Sequence, residues 1–117
     1  MNQAFKSGNE LLAFANRENL YQELILQLNK DLKLSNVEDE FETDVKPEKL
    51  IRQLHEIIFL LINEKFADYL NLLYIIDVSE KEIKQLDGSD VVRLSEQVVF
   101  LILKREWKKI WFRNKYK

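Results

Sequence analysis

The sequence predicts an all-α fold, a small bundle of four or five helices packed around a central apolar helix or helix pair spanning about residues 48–77. Apolar residues recur at intervals of three and four along most of the 117-residue chain. Two glycines and one proline supply little of the turn chemistry that sheets and hairpins use. No linker or repeat divides the chain, so we expect a single domain over residues 1–117, with residues 1–8 loosely ordered.

The first helical region covers residues 9–34. Its apolar positions alternate by three and four but are interrupted at Glu18. Two arrangements fit this pattern. Either one long helix spans the region, or a short helix is followed by a longer one that Asn16 caps and that runs to Leu34.

Residues 35–46 (SNVEDEFETDVK) are predicted to form an acidic loop that crosses between helices. Its acidic side chains are Glu38, Asp39, Glu40, Glu42 and Asp44. We expect Asp44 to cap the next helix, because Pro47 is tolerated in a first helical turn, where its missing N–H is not needed.

Residues 50–78 are the most apolar part of the chain. The inward face is predicted to contain Leu50, Leu54, Ile57, Ile58 and Leu61, and after a turn near Asn63 it continues with Phe66, Tyr69, Leu70, Leu73 and Ile76. The polar face ends at Phe59, so we expect the region from Phe59 onward to be covered on nearly all sides. Asp68 and Asn71 are expected to face water.

A capping box follows, in which the Ser79 hydroxyl accepts from the Glu82 amide and starts a short helix. We expect that helix to end by Gly88, and we expect the Gly88 backbone to adopt the left-handed conformation of a helix C-cap. Ser89 or Asp90 then begins a last helix that runs to about Arg113. The run LLYIIDVSEKEIK (residues 72–84) resembles segments of small bacterial helical proteins, a likeness that implies no activity.

Composition excludes several classes of site. The chain has no cysteine, which rules out disulfides, thiolate metal sites and thiol nucleophiles and fits a reducing, cytoplasmic compartment. The N-terminus shows no signal-peptide pattern. Charged residues interrupt every apolar run before it reaches the roughly 20 residues of a membrane span.

The charge distribution is asymmetric, because residues 104–117 carry a net charge of +6 and the preceding chain carries −8. On a helix this basic end would present a cationic face beside an apolar one. The predicted interaction surface consists of Lys104, Arg105, Trp107, Lys108, Lys109, Trp111 and Arg113. Such a face can insert into a partner's groove, bind phosphates or adsorb to an anionic membrane. The alternative is that the tryptophans pack in the core of the bundle. The acidic loop is a further candidate partner for the basic end, within one chain or across a dimer.

No catalytic, cofactor or metal motif is present. His55, the only histidine, is expected at the core boundary with a hydrogen bond to a neighbour. The sequence therefore favours a non-enzymatic protein-interaction or adaptor module, with a protein partner or a homodimer and no metal or cofactor. A weak nucleic-acid or anionic-surface binder acting through the C-terminal helix is the alternative, and a small enzyme without a recognisable motif is the second.

Overall fold

The computed structural model describes residues 4–116, and within that range it contains helices and no strand. The elements are α1 (Gly8–Arg17), α2 (Tyr21–Leu34), α3 (Pro47–Glu64), α4 (Phe66–Ile76), α5 (Glu80–Lys84) and α6 (Val91–Lys115). This confirms the all-α prediction. Six helices are present in the described range instead of four or five, because residues 9–34 and the central region each form two helices. The predicted central region is the α3–α4 pair, and α6 packs against α1, α2, α3 and α4. In this part of the chain, no helix combines the length and apolar content needed to cross a membrane.

The N-terminal region forms two helices, separated where Asn19 adopts a left-handed backbone with φ 59°. Leu20, not Asn16, is the N-cap residue of α2, so the expected cap at Asn16 is wrong. Gly8 lies in the segment expected to be loosely ordered but begins α1, where the Ser7 side chain accepts from the Glu10 amide at 3.2 Å. Residues 1–3 of the segment expected to be loosely ordered lie outside the described residues.

Glycine at position 8 permits a close approach between helices. A Cβ added there would lie 3.2 Å from Ile51 Cδ1 and 3.3 Å from Leu103 Cδ1. The missing side chain therefore lets the start of α1 pack closely against α3 and α6.

The acidic loop is non-helical over residues 35–46, as predicted, and it is fixed to the core. Its apolar residues Val37, Phe41 and Val45 are buried. Asn29 on α2 donates to the Phe41 carbonyl and accepts from the Phe41 amide, both at 2.9 Å. The Tyr21 hydroxyl donates to the Val45 carbonyl. The acidic side chains therefore project outward from a loop whose backbone is held in place.

The start of α3 differs from the prediction in one respect. Pro47 occupies the first turn as expected, but the N-cap residue is Lys46 and no side chain caps the helix. The expected cap by Asp44 is therefore wrong. Because Pro47 has no N–H to satisfy, the cost of lacking a cap is reduced at this helix start.

The break between α3 and α4 lies at Lys65, two residues beyond the turn expected near Asn63. On the inner side, Leu50, Leu54, Ile58, Leu72 and Ile76 are fully buried. The outer side contradicts the expected burial, because Phe59, Leu60, Phe66 and Leu70 are exposed. The physical reason is that α2, α3 and α6 pack against one side of α4 and leave the opposite side open.

The capping predictions for α5 and α6 are confirmed by hydrogen bonds. The Ser79 hydroxyl accepts from the Glu82 amide at 3.3 Å, and the Asp90 carboxylate accepts from Val92 at 3.0 Å. α5 ends at Lys84, and Gly88 has no positive φ, so the expected left-handed Gly88 is wrong. α6 extends to Lys115, slightly beyond the predicted end.

Replacing the cap of α6 is expected to destabilise the fold modestly. Asp90→Ala removes the acceptor for the Val92 and Arg93 amides and should lower the free energy of unfolding by about 1 kcal/mol. Urea denaturation followed by circular dichroism measures this. Glu96→Ala, an exposed change within the same helix, is the control and should have almost no effect. Equal effects of the two changes would contradict the capping role.

Candidate interaction surface

The two tryptophans predicted on the interaction surface belong to the core or its edge. Trp107 is only 1% exposed and packs edge-on against Phe14, with ring centroids 5.7 Å apart. Trp111 is half-buried, and its ring centroid lies 5.8 Å from that of Trp107. The structure therefore places Trp107 in the core and Trp111 at its edge.

Four of the six cations that the structure describes in the basic end are ion-paired with acidic residues elsewhere in the chain, and Lys108 and Lys115 are not. The pairs are Lys104–Glu82 at 3.9 Å, Arg105–Asp77 at 3.0 Å, Lys109–Asp31 at 2.9 Å and Arg113–Glu23 at 3.3 Å. Lys108 is exposed and makes no ion pair with any residue that the structure describes. The pairing partners lie outside the acidic loop. The basic face is thus largely neutralised within the chain, which leaves little free positive charge for a phosphate backbone.

One of these pairs belongs to a buried charge cluster between α2 and α6. Asp31 is 3% exposed and Glu106 is fully buried. Lys109 Nζ lies 2.9 Å from Asp31 Oδ2 and 3.2 Å from Glu106 Oε1. Gln27 Nε2 donates to both Asp31 carboxylate oxygens at 3.2 Å, and Arg113 donates to Gln27 Oε1. Two acids therefore share one ammonium group in the interior.

A proton on Glu106 offsets the excess of two carboxyl groups over one ammonium group. Burial, followed by hydrogen bonding to Asp31 and repulsion from its charge, raises the pKa of Glu106 from 4.5 to about 9, although Lys109 opposes the shift. At neutral pH the Glu106 carboxyl group is therefore protonated, which removes its charge repulsion with Asp31. This arrangement joins α6 to α2.

Sequence reasoning missed this cluster, although the sequence contains an indication of it. Asp31 sits between Leu28 and Leu32 on the apolar side of α2, and Glu106 precedes Trp107 on the apolar side of α6. A charged residue at an inward position of each of two helices is rare unless the residues meet.

His55 forms a further polar contact between helices, and it joins α3 to α6. Its Nε2 lies 2.7 Å from Ser95 Oγ and 3.2 Å from the Val92 carbonyl. Ser95 Oγ donates its proton to the Val92 carbonyl at 2.8 Å, so Nε2 must be the donor to Ser95. The expected hydrogen bond of His55 to a neighbour is present. Ser95 is fully buried, whereas His55 is half-buried.

The exposed side of α4 differs from every other helix surface. The exposed residues of α4 are Phe66, Ala67, Leu70, Asn71 and Tyr74, and none of them is charged. We call this set the α4 face. Each of the other helices in the described part of the chain has charged residues among its exposed ones, such as Lys30 on α2 and Glu56 on α3. In a chain that is 32% charged, this is a distinct surface.

The apolar side chains of the α4 face form a ridge. Phe66, Leu70 and Tyr74 follow one another at intervals of four and are 53%, 52% and 83% exposed. Positions four apart lie about 6 Å apart along a helix and about 40° apart around it, so the three side chains are neighbours.

An open groove of about 700 Å³ adjoins this ridge between α4 and α5. Leu70 and Tyr74 contribute to both features, and Leu73, Val78 and Ile83 provide the apolar floor of the groove. The ridge and the groove together offer a projection and a depression on one side of the molecule. That combination suits the docking of a helix or an aromatic side chain.

Within residues 4–116, no three histidine, cysteine or acidic side chains converge on a possible metal position. Comparisons of the chain with protein-family models, curated proteins and solved structures give no match.

Proposed function

We propose that this protein is a non-enzymatic interaction module whose docking surface is the α4 face. The observation that supports this proposal most strongly is the absence of charge from the exposed side of α4, combined with two exposed aromatic residues. The buried centres of protein–protein interfaces are depleted in charge and enriched in Phe and Tyr. Such a face also exposes apolar area that a partner would remove from water.

The energetics favour this surface over the basic end. Fully burying an exposed leucine or aromatic side chain contributes about 1.5–3 kcal/mol, and Phe66 and Leu70, being half exposed, can each contribute about half of that. Paired surface cations contribute about 0–1 kcal/mol, and a partner of the basic end would first have to replace the existing ion pairs. A protein partner on α4 therefore gains more per contact.

A photo-crosslinking experiment tests this proposal. Tyr74, replaced by p-benzoylphenylalanine in cells that express the full chain, should give discrete cross-linked species that contain this protein. The matched control replaces Leu26, an apolar residue of α2 that is 57% exposed but has Lys30 one turn away. We expect no discrete species from position 26.

Two outcomes contradict the proposal. One is the absence of any discrete cross-linked species from position 74, and the other is an identical set of species from positions 74 and 26. In either case the α4 face does not bind a partner specifically. Thermal unfolding of the purified variants verifies that both positions tolerate the replacement, as their exposure leads us to expect.

A further inference from the structure

We propose that the partner of the α4 face is the α4 face of a second copy of this chain, packed antiparallel about a two-fold axis at Leu70. This inference rests on the proposed function and deepens it by naming the partner and the register. It is argued from the charge pattern, the order of side chains and the size of the face.

The charge pattern is what a symmetric contact requires. In a two-fold interface the same patch meets itself, so each residue near the axis lies beside its own copy. A charged residue there would face a like charge, which is repulsive. Phe66, Ala67, Leu70, Asn71 and Tyr74 contain no such residue, so two copies can approach without electrostatic opposition.

The order of side chains is compatible with an antiparallel register. With Leu70 at the axis, Phe66 of one copy lies opposite Tyr74 of the other, and Leu70 meets Leu70. Phe66 is thereby placed at the mouth of the second copy's groove, next to Val78 and Ile83. Apolar and aromatic residues thus face each other along the whole ridge.

Helix dipoles bear on the orientation of the pair. In an antiparallel pair each helix end lies beside the end of opposite partial charge, which favours this orientation over a parallel one.

The size of the face predicts a weak dimer. Given the exposures of its apolar side chains, the ridge offers on the order of 350 Å² per copy, compared with about 800 Å² per partner in a standard interface. Interfaces at this lower end are transient. We therefore expect dissociation in the micromolar range or weaker.

Cysteine cross-linking tests the register against a clean background, because the natural chain contains no cysteine. Under mild oxidation at micromolar concentration, Leu70→Cys should form a disulfide dimer. An equimolar mixture of Phe66→Cys and Tyr74→Cys should form the mixed dimer, while each of these two variants alone should cross-link at least tenfold more slowly. Leu26→Cys is the control for random collisions, and thermal unfolding of the reduced proteins checks their folding.

Charge exchange at the axis provides a second measurement. Leu70→Lys and Leu70→Glu should each sediment as a monomer, because like charges would meet at the axis. Mixing the two variants should restore a dimer. This complementation occurs only if position 70 of one copy faces position 70 of the other.

The outcomes separate this inference from the proposed function. Efficient self-cross-linking of Phe66→Cys and of Tyr74→Cys would overturn the antiparallel register. Leu70→Cys dimers forming no faster than the position 26 control, together with photo-cross-links from position 74 to a different protein, would overturn the second copy as partner and leave the proposed function standing. Absence of both kinds of cross-link would remove both proposals.

Discussion

Replacing Glu106 by glutamine is expected to stabilise the protein at alkaline pH and to flatten the pH dependence of its stability. The pKa of Glu106 is raised to about 9 in the fold, so the folded chain retains a proton that the unfolded chain releases above about pH 4.5. The associated stability is fully present below pH 4.5 and is lost as the pH rises towards 9, by up to about 1.4 kcal/mol per pH unit. Glutamine mimics the protonated side chain at every pH.

Urea denaturation of the wild-type protein and Glu106→Gln at pH 5 and pH 8 measures this difference. The free energy of unfolding of the variant minus that of the wild type should increase by several kcal/mol from pH 5 to pH 8. The two free energies should be closest at pH 5. Glu96→Gln, an exposed change on the same helix, is the control and should run parallel to the wild type. A Glu106→Gln profile parallel to that of the wild type would show that Glu106 is ionised in the folded state.

Replacing Trp107 by alanine is expected to lower the free energy of unfolding by about 3–5 kcal/mol, because it empties the space between α1 and α6 that the indole ring fills. A domain of this kind is stabilised by only about 5–15 kcal/mol in total, so the loss is a large fraction. The measurement is urea denaturation followed by circular dichroism, since tryptophan fluorescence is itself altered by the change.

The matched control is Phe112→Ala, on the same helix but 41% exposed, for which we expect a loss below about 1 kcal/mol. Trp107→Phe should lie between the two, and it remains measurable if the alanine variant does not fold. A loss at Trp107 no larger than that at Phe112 would contradict the placement of Trp107 in the core.

Glu106 and Trp107 explain why the environment of the basic C-terminal end in the fold differs from the one that its sequence indicates. Around Trp107 and Glu106, α6 is an interior helix, and its cations face the acidic residues of α2, α4 and α5. The net charge of +6 over residues 104–117 complements the body of the same molecule. Four cations of the predicted interaction surface are therefore paired within the fold.

Local features were predictable because they depend on nearby residues alone. The caps at Ser79 and Asp90, the position of Pro47 and the loop over residues 35–46 all follow from side chains within a few positions of the backbone that they stabilise. The break after α3 was predictable to within two residues, because a group of polar side chains interrupts the apolar pattern there.

Burial was less predictable, because periodicity places residues on the same side of a helix but does not say whether anything covers that side. Phe66 and Leu70 share the apolar character of Tyr69 and Leu73, yet only the latter two are buried. Because α4 is apolar on nearly all sides, its sequence does not specify which side packs against the other helices.

The sequence by itself therefore determined that the chain is all-α, where most of its helices begin and end, and that residues 50–76 supply much of its apolar interior. Only the tertiary structure decided which side of α4 stays open and that Asp31, Glu106 and Lys109 meet in the interior. The physical reason is that helix formation and capping are local interactions, whereas coverage and charge pairing depend on residues as distant as Asp31 and Lys109, 78 positions apart along the chain.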